Sequence, residues 1–178
     1  CDDTLSVDAA KALETVLKTK KFNPASSGGL QRAVEQLTED QAKGERRSSH
    51  PPMCTVQDTD GRPELNVEFG LYDESDLFGE VRGAHLYPYD MGREVQAGYR
   101  KAYLFLECVS PRLKGSEKRP AQIRGTVDIG IPLPPDTVAI REANLTVLHS
   151  VALAVVRKLG CENDAGLTEK PVFKPKPE

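Results

Sequence analysis

Apolar and polar residues repeat along this chain in two rhythms. Residues 64–72 alternate at every second position. Leu65, Val67, Phe69 and Leu71 fall on one side, and Glu64, Asn66, Glu68 and Gly70 on the other. Residues 121–131 do the same, with Ile123, Val127, Ile129 and Ile131 against Gln122, Arg124, Thr126 and Asp128. One dry face and one wet face is the pattern of an antiparallel sheet. Residues 102–109 (AYLFLECV) are apolar on both sides, as expected of a central strand covered twice or partly so. A short strand over 53–57 precedes the first alternating run, and Tyr87 and Tyr89 flank Pro88 in a fragment that the proline confines to a sheet edge.

The second rhythm has the period of a helix. In residues 142–161, Leu145, Leu148, Ala152, Val155 and Leu159 form one stripe, which Val151 and Val156 widen. Asp136 or Thr137 is placed to cap the approach, Gly160 to end the helix in the left-handed conformation, and Arg157 and Lys158 to complement its negative end. Two shorter helices come first. One starts from Ser6 as N-cap and carries Ala9, Leu13, Val16 and Leu17; the other spans about 30–42 and carries Leu30, Ala33, Val34 and Leu37. Gly125, on the inward side of its strand, is expected to make room for a bulky neighbour. These elements predict one α+β domain: a single antiparallel sheet of about five strands, the long C-terminal helix across one face, and two short N-terminal helices beside it or at an edge.

Composition narrows the setting. The 178 residues, 38% hydrophobic and 29% charged, suit a single soluble domain with its own core. A net charge of −3 offers no global basic field for nucleic acid. Residues 1–5 are expected as an N-terminal tether spanning at most about 17 Å, 6–161 as the domain, and 162–178, rich in proline and lysine, as an extended tail. The chain opens on Cys1. Bacterial lipoproteins resemble this, because their signal peptide is cut just before the cysteine that carries the lipid, so Cys1 is the expected attachment point. If Cys1 is acylated, Cys54, Cys108 and Cys161 supply one disulfide and one leftover thiol; if it is free, two bridges in three pairings are open. For the single bridge, Cys54–Cys108, joining two strands, is expected narrowly ahead of Cys108–Cys161, which would pin the main helix to the sheet.

Candidate chemistry is sparse. There is no phosphate-binding glycine loop, no nucleophile elbow and no zinc-protease helix motif. No cofactor or metal is expected: Asp58-Thr59-Asp60-Gly61 lacks the spacing of a calcium loop and reads as a hairpin turn, and Asp73-Glu74-Ser75-Asp76 reads as a solvated acidic loop. His50, His85 and His149 fall in unrelated elements, and His149, at the margin of the helical stripe, is expected as a satisfied core-edge residue. Two groups could form a binding surface: Tyr87, Tyr89 and Tyr99 in the glycine-rich middle of the chain, and Arg112, Lys114, Lys118 and Arg119 in the charged connection after the central strand.

The leading cysteine, the short amphipathic helices, the strands with internal cysteines and the final Leu/Ala-rich helix together resemble the small secreted lipoproteins of actinobacteria. Residues 93–116 and 140–167 carry most of the likeness. The resemblance implies a location, the outer face of the cell membrane through a lipid on Cys1, and no catalytic residues. The functional expectation is therefore a non-enzymatic envelope domain that binds a partner protein, wall component or small ligand. The alternative is an envelope hydrolase or other enzyme with an unrecognised site, which would need two acids, or an acid and a histidine, converging in a pocket.

Overall fold

The computed structural model describes residues 1, 3–23, 28–57, 59, 63–79 and 85–174. Helices α1 (Val7–Leu17) and α2 (Gly29–Lys43) come first, then strands β1 (Cys54–Gln57), β2 (Pro63–Leu71), β3 (Tyr87–Tyr89), β4 (Glu94–Ala97), β5 (Lys101–Cys108) and β6 (Ala121–Ile129), and finally helix α3 (Val138–Leu159). The strands form one antiparallel sheet in the order β1-β2-β6-β5-β4-β3. It has six strands where about five were expected. The unforeseen one, β4, is four residues long and flanked by turns, too short to show a period. Pro88 does lie on an edge strand, β3. Most of the Asp58-Thr59-Asp60-Gly61 turn falls outside the described residues.

Register places Leu65, Val67, Phe69 and Leu71 opposite Ile129, Val127, Gly125 and Ile123, and the same row continues through Ala102, Leu104 and Leu106 of β5. All of these apolar side chains are buried. At Gly125 a Cβ would stand 2.8 Å from the Phe69 ring and 3.1 Å from Leu148, so the missing side chain is the space those two residues fill. Ile131 does not belong to this face: β6 stops at Ile129, and Ile131 is 86% exposed among the prolines that follow.

Helix α3 crosses this inner face and packs on β4, β5 and β6; α2 packs on α3 and β2, and α1 packs on α3. The first helix thus makes a third layer and does not sit beside the sheet. The reason lies in α3, whose buried residues include Ala143, Leu145, Val147, Leu148, Val151, Leu153 and Val156, spread around its circumference. A helix apolar all round must be covered on more than one side. Although α3 is long and apolar enough to cross a bilayer, here it is the core helix. Its ends obey the sequence: the Thr137 hydroxyl accepts from the Ile140 N–H, and Gly160 closes it with φ 72°. Ser6 caps α1 by accepting from the Ala9 N–H at 3.1 Å.

Two disulfides, Cys1–Cys54 and Cys108–Cys161, join α-carbons 4.6 and 5.2 Å apart. Two bridges are what was expected of a free Cys1, and two other expectations are corrected. Cys54 does not pair with Cys108, because they lie on β1 and β5, which β2 and β6 separate in the sheet. There is no leftover thiol. The sulfur of Cys1 is bonded to Cys54, and a lipid thioether on the same atom is incompatible with that bond.

Neither end of the described chain runs free. Thr4 is buried, the Ser6 N–H donates to the Ser150 hydroxyl at 2.8 Å, and that hydroxyl donates to the Thr4 carbonyl at 2.8 Å. The expected tether therefore lies along α3. At the other end Leu167 is buried, Phe173 meets the edge of Tyr89 with ring centroids 6.5 Å apart, and the Asp90 N–H donates to the Lys174 carbonyl at 2.9 Å. Lysine and proline make the 162–174 segment look like a free tail, but Leu167 and Phe173 supply two apolar anchors that fasten it as a strap.

Candidate functional site

Between the N-terminal segment and α1 on one side and the C-terminal strap on the other, the surface of α3 is left as a groove. Two adjoining cavities of about 520 and 510 Å³ occupy it, sharing Asp8, Thr146, Lys170 and Pro171 in their walls. The floor runs on α3 from Ala139 through Ala143, Thr146, His149 and Ala154 to Arg157. At the helical rise that is about 27 Å. Small side chains on this side of α3 keep the floor low, while Leu5, Ala12, Pro171 and Phe173 give the walls apolar patches.

The charges bordering the groove are mostly spent. Arg157 binds Asp164 at 3.0 Å and also Glu169, which holds the strap down at one end. Lys170 reaches across to Asp8 at 3.7 Å. His149 is different: it is 2% exposed, lines the groove, and its Nε2 has no hydrogen-bond partner among the described residues. Burial pushes the imidazole below its ordinary value, against the Thr168 backbone and Glu169, which favour the charged form; Arg157 adds to the lowering. The histidine expected to be satisfied at the core edge is thus buried with its Nε2 sealed and without a hydrogen-bond partner among the described residues.

The two acid–histidine contacts lie elsewhere. His50 Nε2 and Asp40 Oδ2 are 2.5 Å apart, where the polar connection folds back on the end of α2, and His85 meets Asp136 at 3.3 Å. Neither histidine lines the groove. The chain matches no protein-family model, no curated protein and no solved structure. What the site does must therefore be argued from its geometry.

The residues expected to make a binding surface do not converge. Tyr89 is buried on the inner face, and Tyr87 is half-buried beneath the Arg141 guanidinium, 3.5 Å from the ring centroid. Tyr99, half-buried, meets His85 edge-on at 5.7 Å. Arg112 donates to the Lys158 carbonyl at 2.7 Å and so serves the end of α3. Lys114 and Arg119 line a smaller cleft of about 250 Å³ with Arg46 and Glu45, and Lys118 is exposed on the same connection. Acidic residues 73–76 are not simply solvated: Asp73 caps a 3-10 turn, and Arg46, Arg47 and Arg93 pair with Asp73, Asp76 and Glu74. Sequence reasoning missed the groove because its walls come from the two segments read as tether and tail.

Proposed function

We propose that this chain is an extracytoplasmic, non-enzymatic binding domain whose ligand lies in the groove along α3. The two disulfides fit an oxidising compartment outside the cytoplasm. The observation that carries the reading is the groove itself, two adjoining cavities of about 520 and 510 Å³ along α3 that share Asp8, Thr146, Lys170 and Pro171. The acid–histidine contacts among the described residues, His50 with Asp40 and His85 with Asp136, both lie outside the groove. A binding site needs only a group whose hydrogen bond the ligand completes, on a surface that also offers apolar area.

Native mass spectrometry of the protein purified from its own cell envelope tests this. The expected result is a retained small molecule that disappears in an Ala154→Trp variant, where the indole fills the groove floor. A bound species unaffected by that substitution, or turnover of a bound molecule by the purified domain, would overturn the reading.

A further inference from the structure

Taking the groove as the binding site, we infer that the strap is its gate: residues 167–174 swing off the groove as one piece, hinged on a left-handed turn at residues 163–166, with Arg157 as the latch. The strap supplies Glu169, Lys170, Pro171 and Phe173 to the groove walls, so its departure opens that whole side. Three independent observations lead to a moving part here.

The first is the backbone of the turn. Asn163, Asp164, Ala165 and Gly166 follow one another with φ 50°, 50°, 53° and 81°. Glycine enters this region freely, and asparagine and aspartate visit it as single residues. Alanine has no such licence, and its Cβ disfavours the conformation by a factor of roughly 5 to 30. The turn therefore stores a bias toward a different backbone, which is released when the strap lets go.

The second is what holds the strap against that bias. Arg157, in the last turn of α3, binds Asp164 of the turn at 3.0 Å and also Glu169 of the strap. Beyond this latch the strap rests on buried Leu167, on Phe173 against Tyr89, and on the long Lys170–Asp8 pair. No side chain from residue 168 to 174 is fully buried. A segment with so few sealed contacts opens at far lower cost than the whole domain unfolds.

The third is where the motion stops. Cys161, just before the turn, is bridged to Cys108 of β5, and the Glu162 N–H donates to the Val109 carbonyl at 2.8 Å. The root of the strap is thus part of the core, and α3 stays wound as the strap lifts. A strained turn between a fixed root and a lightly held strap is built as a hinge.

Amide hydrogen exchange tests the motion without any ligand. The reporters are the Leu167 N–H, which donates to the Asp164 carbonyl at 3.0 Å, and the Asp90 N–H, which donates to the Lys174 carbonyl at 2.9 Å. Both should share one protection factor, far below that of the β5 and β6 amides. Ala165→Gly should raise it about threefold, since glycine removes the penalty but also frees the open turn. Arg157→Gln should lower it about fivefold. Sodium chloride at about 0.5 M should likewise lower it in the parent and hardly change it in Arg157→Gln. Should that variant fail to fold, salt on the parent carries the test of the latch. The thiol introduced by Ala154→Cys reads access to the groove floor. Its labelling by a maleimide should slow with Ala165→Gly and speed with Arg157→Gln, in step with the strap. Reporters that differ in protection, or that match the sheet, overturn the hinge; labelling indifferent to both substitutions overturns the gate. Neither result touches the groove reading, which the mass-spectrometric comparison with Ala154→Trp decides by itself.

Discussion

Each disulfide can be removed cleanly, and the geometry says how much each is worth. The bridges Cys1–Cys54 and Cys108–Cys161 both span a sequence separation of 53 residues. In the chain-entropy model a loop of that length costs the bridged unfolded chain about 4 kcal/mol of conformational freedom at 25 °C. The paired variants Cys1→Ala with Cys54→Ala, and Cys108→Ala with Cys161→Ala, should therefore each lose about 4 kcal/mol. For a domain of this size that lowers Tm by roughly 8–16 °C. The two loops do not overlap in sequence, so the effects should nearly add in the fourfold variant, to about 8 kcal/mol, which approaches the whole stability of an ordinary domain. Calorimetry without reductant measures this, with non-reducing peptide mapping to read the pairing. A Cys54–Cys108 peptide in the unmodified protein would refute the pairing. A Cys1/Cys54 variant melting within roughly 2 °C of the parent would refute the claim that the first segment is structurally fastened. The same material decides the fate of Cys1: a lipid thioether there would leave Cys54 as a free thiol that takes a thiol reagent without reduction, whereas the bridged form takes none.

Other substitutions probe the helix. His149→Leu removes a buried nitrogen with no partner among the described residues but also the ring's contact with the Thr168 backbone, so stability at pH 7.5 should stay within about 1 kcal/mol of the parent, read from urea unfolding. The folded pKa of His149 lies below the unfolded 6.5. Its contribution is therefore intact above pH 6.5 and lost as pH falls through the lowered folded value; between pH 7.5 and 5 the parent should lose more Tm than His149→Leu, and parallel profiles would refute this. Asn144 is fully buried and its Nδ2 donates to the Gly98 carbonyl at 2.8 Å and the Tyr99 carbonyl at 3.3 Å. Asn144→Ala should cost about 1–3 kcal/mol and speed amide exchange in the β4–β5 turn. Gly125→Ala forces a methyl against Phe69 and Leu148 and should cost about 1–3 kcal/mol in thermal unfolding.

Legibility in the sequence followed the length and purity of each pattern. Strands β2 and β6 declared themselves because seven residues on each alternate without error, and even the gap at Gly125 followed from its inward position. Helix α3 was legible from its stripe and caps, yet the stripe understated it: His149, Asn144 and Leu153, off the main seam, are buried as well. Such burial depends on α1 arriving from the far side, which no local pattern encodes. Strand β4 is held by its neighbours and not by its own four residues. Cysteine pairing was decided by where the N-terminal segment meets β1 and where the end of α3 meets β5, and the N-terminal segment by contacts made more than 140 residues apart, such as Ser150 with Ser6 and Thr4. The groove inherits that difficulty, since it exists only once both segments are laid along α3.

The margins of the sheet have a further meaning. On one side β1 has four residues, and the Asn23 N–H already donates to Gln57 at 3.2 Å, while Ser48 occupies Leu71 further along the border. On the other, β3 has three residues and its middle one is Pro88, which has no N–H to offer. A neighbouring molecule seeking to extend the ladder would meet only two short borders, one partly taken by Asn23 and the other centred on a proline. Copies crowded side by side therefore have short ladders through which to stitch themselves into fibres.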